Sequence, residues 1–135
     1  MTNEAVILEL NEFSNPKQYT CAAAVSISKG ALLKLSGDNT VIASGANDSA
    51  PYAGVAAMDK DGTDSSTKIS VYTPGQGNRF DMMVNANTTV TNGALVAMSG
   101  ANAIRNAVEA DIPLGNIIGR AEEAGTASEV IVVLS

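Results

Sequence analysis

Residues 28–37 read SKGALLKLSG, and 63 positions later residues 91–100 read TNGALVAMSG. The two stretches share their glycines and their Gly-Ala-Leu run, whereas Lys34 in the first is replaced by Ala97 in the second. Further matches follow in the same order: Gly54-Val55-Ala56 with Gly119-Arg120-Ala121, and Ile69-Ser70-Val71 with Ile131-Val132-Val133. Self-similarity at a fixed spacing marks duplicated supersecondary units. We therefore predict two related repeats, 19–73 and 82–135, joined by a linker at 74–81.

Each repeat has the alternation of β-strands. In KISVYT, Ile69 and Val71 fall on one face of an extended chain, and Lys68 and Ser70 fall on the other. Glycine and asparagine follow both ALLKL and ALVAM, and these residues tolerate the positive φ of tight turns. The predicted fold class is mainly β: residues 19–135 form a single compact barrel-like or sandwich-like domain. We expect at most short helices, around 103–110 and 119–124.

Residues 1–18 lie outside both repeats and are predicted to form an extended N-terminal arm. Within NEAVILEL, Val6, Leu8 and Leu10 share one face of an extended strand, and Ile7 and Glu9 share the other. A terminal strand of this kind has two interpretations. It closes its own barrel or sandwich, or it adds to the sheet edge of another protein, where backbone hydrogen bonds provide affinity.

The C-terminal stretch EVIVVLS is apolar on both faces. Such a strand is covered on both sides. It is therefore either central to the fold or buried by a neighbouring subunit. The candidate subunit interface comprises Val130, Ile131, Val132, Val133 and Leu134.

Charge and hydropathy argue against several classes of partner. The net charge is −6 and the eight basic residues are scattered, whereas nucleic-acid binding needs clustered Lys and Arg. No apolar run approaches the roughly 18 residues of a membrane-spanning helix. The first 30 residues contain acidic groups and no continuous apolar core, which favours synthesis in a cytoplasm without a signal peptide. We predict neither a nucleic-acid nor a membrane partner.

The residues that most often carry catalysis are missing. The chain has no histidine, the commonest general base and metal ligand, so Cys21 and the serines lack their usual activating partner. In DKDGTDSS, Asp59, Asp61 and Asp64 suggest a Ca²⁺ site, but their spacing fails the EF-hand pattern. The second repeat keeps only the Gly-Thr of this segment, which indicates a turn. We predict no enzyme activity, no metal and no cofactor.

Four stretches occur in an order that resembles one known family. They are NEAVILEL, CAAAVSISKGALLKLSGDNTVIAS, PYAGVAA and GNIIGRAEEAGTASEVIVVLS. Together they are similar, over nearly the whole chain, to tailed-bacteriophage capsid decoration proteins, also called cement or head-stabilising proteins. The resemblance implies a small β-rich virion protein, made in the host cytoplasm, that binds the outer surface of the expanded capsid. It also implies a homotrimer on the capsid that stabilises contacts between capsomers.

By the same resemblance, the N-terminal arm lies on the major capsid protein. The arm residues concerned are Glu4, Ala5, Val6, Ile7, Leu8, Glu9 and Leu10. The alternative function is a carbohydrate-binding or adhesive β-domain on a virion or cell surface. That function would require Tyr52 and Tyr72 to be exposed as stacking platforms.

Overall fold

The computed structural model describes residues 4–10, 15–45, 51–63, 65–86 and 88–134. In chain order the strands are β1 (Val6–Glu9), β2 (Lys17–Thr20), β3 (Leu32–Gly37), β4 (Thr40–Ala43), β5 (Tyr52–Ala56), β6 (Lys68–Tyr72), β7 (Arg79–Val84), β8 (Thr89–Val90), β9 (Leu95–Met98), β10 (Ala103–Asn106), β11 (Ile117–Ala121), β12 (Gly125–Thr126) and β13 (Glu129–Leu134). Helix α1 spans Asp111–Leu114. Within these ranges, no helix has the length and apolar character needed to cross a membrane.

The strands form two barrels with the same topology. In barrel one, the order around the barrel is β2, β4, β3, β5 and β6. In barrel two, β7, β10, β9, β11 and β13 follow the same order, and β13 pairs back onto β7. Each barrel has one parallel pair of neighbouring strands: β2 with β4 in barrel one, and β7 with β10 in barrel two. The predicted mainly β fold, built from two related units, is confirmed.

The repetition extends to individual backbone hydrogen bonds. Thr20 pairs with Thr40 and, 63 positions later, Met83 pairs with Ala103. Three backbone hydrogen bonds of barrel one recur in barrel two at the same length. Ala31 N–H donates to Ser28 O as Ala94 N–H donates to Thr91 O (3.1 Å), and Gly30 N–H donates to Ala56 O as Gly93 N–H donates to Ala121 O (2.9 Å). Ser44 N–H donates to Leu32 O as Ala107 N–H donates to Leu95 O (2.8 Å). The two copies of the Gly-Ala-Leu stretch therefore build the same turn and the same strand.

Two boundaries differ from those expected. Strand β7 begins at Arg79, so its first three residues lie inside the predicted linker 74–81. Likewise β2 begins at Lys17, inside the predicted arm 1–18. Both strands pair antiparallel with the last strand of their own barrel. This pairing extends each barrel a few residues towards the N terminus of its repeat.

The segments expected to be helical, 103–110 and 119–124, contain strand and turn residues and no helix. Residues 103–106 form β10 and residues 117–121 form β11, both paired with β9. A short helix is marginal in water, and sheet hydrogen bonding overrides the local preference of these sequences. The helix in the described chain lies between these strands, at Asp111–Leu114.

Barrel two covers one outer face of barrel one. Leu32, Tyr52 and Val55 belong to barrel one, but their side chains join the apolar cluster that fills barrel two. Asn102 holds the contact: its Oδ1 accepts the Leu32 N–H at 2.9 Å, and its own N–H donates to Ser44 Oγ at 3.1 Å. We call this contact the joint. It explains why β3 is buried on both faces at its start, at Leu32 and Leu33.

Tyr52 lies at the centre of the joint. Its N–H donates to the Gly115 carbonyl at 2.8 Å, and its side chain is buried. Burial raises the pKa of the Tyr52 hydroxyl far above its usual value. Among the described residues, this hydroxyl has no hydrogen-bond partner. The ring therefore stabilises the joint, whereas the hydroxyl does not.

We expect Tyr52→Phe to leave the free energy of unfolding unchanged or to raise it by up to about 1 kcal/mol, since it removes an unsatisfied buried group. Tyr52→Ala should instead lower it by about 3 kcal/mol or more, because it empties a packed site. Urea denaturation of the wild type and both variants checks these values. Destabilisation by Tyr52→Phe of a size close to that of Tyr52→Ala would show that the hydroxyl is essential.

Candidate functional site

The arm strand β1 lies on the sheet of its own chain. It pairs antiparallel with β7, with Val6 opposite Asp81 and Ile7 opposite Phe80. The register shifts at Leu8, and Glu9 then lies opposite Arg79. Of the two interpretations of the arm, the structure therefore shows the strand on its own barrel, with its position fixed by β7.

The predicted alternation along the arm is present in part: the register shift places Glu9 with Arg79 on the outer face, whereas the sequence pattern placed Glu9 on the same face as Ile7. Val6, Leu8 and Leu10 are 50%, 44% and 39% exposed, whereas Ile7 packs against the core of barrel two. We call the three exposed side chains the arm stripe. Three neighbouring apolar side chains that point into solvent from a strand fixed on its other face are typical of a docking surface.

The start of the arm is anchored to barrel one. The Ala5 N–H donates to the Gly30 carbonyl at 2.7 Å, and Ala5 is buried with the cluster that fills barrel two. The arm therefore crosses the joint, since Ala5 contacts barrel one and β1 pairs with barrel two. This bridging explains why a segment outside both repeats has a fixed position.

The end of β1 is held by charge. Arg79 donates to Glu9 Oε2 at 2.8 Å and to Glu122 Oε1 at 2.7 Å. The hydrogen bond that Arg79 donates to Glu9, followed by the one that it donates to Glu122, raises the pKa of the Arg79 guanidinium. All three side chains are exposed to solvent, so this pairing adds little stability. Its main effect is to orient the end of the arm.

Gly30 and Gly93 offer a matched test of arm anchoring. Both are the glycine of the repeated turn, with φ of +90° and +84°. A Cβ on Gly30 would overlap the Ala5 carbonyl oxygen and lie 2.9 Å from Glu4 Cβ, whereas a Cβ on Gly93 would meet no atom within 4 Å. The two sites therefore share the backbone strain and differ in contact with the arm.

We expect Gly93→Ala to cost about 1–2 kcal/mol of stability from the left-handed backbone alone. Gly30→Ala should cost more and should also release the arm, seen as faster hydrogen exchange of β1 and of the β7 residues opposite it. Exchange measured by mass spectrometry on both variants provides the test. Equal protection of β1 in the two variants would contradict the anchoring role of Gly30.

The outer edge of β1 is open. Among the described strands, β1 pairs with β7 alone. Exposed sheet edges are usually short, bulged, or marked by Pro or charged side chains. Strand β1 has four residues, a register shift and Glu9, but no Pro or Lys. The arm therefore has a short unpaired edge, among the described strands, beside the arm stripe.

The candidate interface at 130–134 divides into two parts. Strand β13 is paired on both sides, with β7 and with β11. Val130, Val132 and Leu134 fill the core of barrel two and cannot contact another subunit. Ile131 and Val133 alternate with them and are half-buried on the outer face. The strand is therefore central, and only these two of the five predicted residues remain on an outer surface.

The loop between β10 and β11 carries exposed apolar groups that the sequence pattern did not predict. Val108, Ile112 and Leu114 are 58%, 66% and 44% exposed. The loop is rigid because Asp111 is buried and forms two hydrogen bonds with the Arg105 guanidinium, at 2.7 and 2.8 Å. The sequence signal for this ion pair was the opposite charge of Arg105 and Asp111, which lie six positions apart.

Asp111 is the acid whose ionisation is most strongly coupled to folding among those with a resolved shift. Hydrogen bonds from Arg105, outweighing the opposing effect of burial, lower its pKa to about 2, with help from the Val108 N–H and Asn116. A lowered pKa means that the stabilisation is complete above the pKa of the unfolded chain, near 4, and is lost as the pH falls towards 2.

We expect Asp111→Asn to lower the free energy of unfolding at pH 7 by about 2 kcal/mol. The gap between the variant and the wild type should shrink steadily from about pH 5 to about pH 2. Denaturation curves over this pH range check both statements. Glu109→Gln, two residues away and exposed, is the control and should follow the wild type. A gap that does not change with pH would contradict this role of the Asp111 carboxylate.

The DKDGTDSS segment forms a structural loop. Asp59 accepts the Lys29 N–H at 2.7 Å, and Asp61 accepts the N–H and hydroxyl of Thr63. Lys60 is buried, and its Nζ donates to the Ala23 and Val25 carbonyls at 2.9 and 2.8 Å. Asp64 lies outside the described residues. The part of the chain that the structure describes contains no cluster of three metal-ligating His, Cys, Asp or Glu side chains.

The remaining candidates lie in or near the core. Cys21 is buried in barrel one. Tyr52 is buried in the joint, and Tyr72 is half-buried with its ring 6.0 Å from that of Phe80. The two tyrosines therefore do not form the exposed pair that a carbohydrate-stacking platform would need.

Comparison with protein-family models and with curated protein sequences gave no match for this chain.

Proposed function

We propose that this chain is a structural virion protein of a tailed bacteriophage. It binds the outer surface of the expanded capsid through the major capsid protein and stabilises contacts between capsomers. It acts as a homotrimer on the shell, performs no catalysis and binds no nucleic acid. The proposal joins the resemblance of the four sequence stretches with the geometry of the arm.

The observation that carries the proposal is the arm stripe. Val6 and Leu8 on β1, and Leu10 directly after it, are exposed to solvent, while the other face and the inner edge of β1 contact barrel two. Burying such side chains against a partner gains free energy without first unfolding any part of this chain. The arm therefore contacts the capsid protein while it stays on β7.

Because the contact is repeated in each subunit, a modest interface per subunit is sufficient for stable binding to the capsid. Three copies in a trimer present three arm stripes to the shell, and the second and third contacts form at a high effective concentration. The net charge of −6 also limits attraction to the genome.

The arm stripe can be tested with a pair of variants of equal exposure. Leu8 is 44% exposed on the arm, and Met58 is 42% exposed on barrel one. We expect Leu8→Asp to weaken binding to purified, expanded, undecorated capsids by at least tenfold, about 1.4 kcal/mol. Met58→Asp should bind like the wild type. Co-sedimentation with capsids over a protein titration measures both affinities.

Three outcomes of this titration are informative. Loss of binding by Leu8→Asp alone supports the arm as the contact. Equal binding by Leu8→Asp and the wild type would contradict the role of the arm and leave capsid binding in place. Failure of the intact chain to bind any expanded capsid of its parent phage would overturn the proposed function itself.

A further inference from the structure

The joint is built from two different surfaces. Barrel one contributes the outer face of β3 and β5, where Leu32 and Val55 lie opposite each other. Barrel two contributes the end that carries the turn between β9 and β10, with Asn102 donating to and accepting from barrel one. We call the first surface the joint face and the second the turn end. Because the two surfaces differ, the contact is head-to-tail.

Both barrels have the same topology, so each has a joint face and a turn end. The strand registers identify the equivalent residues: Leu32 pairs with Val55 in barrel one as Leu95 pairs with Arg120 in barrel two. Val55 also pairs with Tyr72 as Arg120 pairs with Val133. The joint uses one surface from each barrel. The joint face of barrel two and the turn end of barrel one are therefore left over.

The exposures show that these two leftover surfaces are open. Leu32 is 1% exposed inside the joint, whereas Leu95 is 41% exposed. Asn102 is 1% exposed, whereas the equivalent turn of barrel one, Ser36–Asn39, is exposed throughout. In this chain the joint face is therefore buried in barrel one and exposed in barrel two, and the turn end is buried in barrel two and exposed in barrel one. Where each surface is buried, the complementary surface of the other barrel packs against it.

We propose that a second copy of this chain occupies the open joint face. The turn end of barrel one in one copy packs on Leu95, Ile117, Arg120 and Val133 of barrel two in the next copy, and so repeats the joint between chains. This contact goes beyond the proposed function, because it requires no capsid. A head-to-tail contact closes into a ring when its rotation permits, and a homotrimer closed in this way would join six barrels in series.

The differences between the repeats are consistent with a contact between chains. In barrel two the position of Val55 is taken by Arg120, and in the turn of barrel one the position of Ala101 is taken by Asp38. Arg120 and Asp38 are both exposed. The permanent joint therefore combines apolar side chains with the Asn102 hydrogen bonds, and Ala101, the counterpart of Asp38, is exposed at its rim. The open pair of surfaces carries opposite charges, with Asp38 at the corresponding rim position. Charged, solvated surfaces of this kind are typical of contacts that form between separately folded molecules.

Cysteine cross-linking tests the proposal on the full chain. In a Cys21→Ala background, one population carries Asp38→Cys and a second carries Leu95→Cys. Each population alone, and then the mixture, is treated with a short bismaleimide at high protein concentration. A head-to-tail contact predicts cross-linked dimers in the mixture and little product in either population alone. Glu129→Cys, also exposed on barrel two, replaces Leu95→Cys in the control mixture.

The outcomes separate this interface from others. Cross-linking confined to the Asp38→Cys and Leu95→Cys mixture supports the proposal. No cross-linking in that mixture, an equal yield in the Glu129→Cys control, or efficient cross-linking within a single population would each overturn it. Capsid binding by the arm does not enter these outcomes, so a failure here leaves the proposed function untouched.

A charge reversal gives a second measurement without cysteine. Asp38→Arg and Arg120→Asp should each reduce self-association by at least threefold in sedimentation equilibrium, because each places like charges at the rim of the contact. The double variant should recover most of the lost association. Single variants that associate as strongly as the wild type, or a double variant weaker than both singles, would contradict the pairing of these two surfaces.

Discussion

One outer face of barrel one is apolar and must be buried, and this constraint determines much of the remaining structure. Leu32, Tyr52 and Val55 point away from the interior of barrel one and are buried only because barrel two packs on them. Each side chain of this size gains roughly 1.5–3 kcal/mol when it is removed from water. The joint therefore fixes the two barrels as one unit, and the arm lies across it from Gly30 to β7.

The sequence predicted the repeated architecture because backbone geometry imposes the same local demands in both copies. The period of two in KISVYT and the glycine of each turn correspond to the observed strands and turns. The short helices were misplaced because strand pairing with β9 decides the conformation of residues 103–106 and 117–121. In these segments, contacts distant in sequence outweigh local preference.

The candidate site was predicted in part. The alternation of the arm assigned Val6, Ile7 and Leu8 to the faces that they occupy, but it placed Glu9 with Ile7, and the register shift reverses that assignment. The alternation also could not decide which sheet the strand would join. Asn39 and Asn102 look equivalent in sequence, yet one is exposed and the other is buried in the joint. Burial at such positions depends on how the two barrels pack against each other, which the local sequence does not determine. The replacement of Val55 by Arg120 between the repeats was the available sign that one face is covered and the other is not.

The proposed function rests on the places where the duplication is incomplete. The repeated strands form the scaffold, whereas the arm occurs once and contacts both barrels. Its stripe faces outwards because the other side of the strand is used for folding. The rigid loop at Arg105 and Asp111 is a second feature without a described counterpart in barrel one, and it adds further exposed apolar groups to barrel two.

The most direct test of the account is a cryo-electron microscopy reconstruction of expanded capsids saturated with this protein, at a resolution that shows side chains. The account predicts that β1 remains paired with β7 of its own chain, and that Val6, Leu8 and Leu10 are buried against the major capsid protein. A map in which the arm points away from the shell, or leaves β7 altogether, would contradict it.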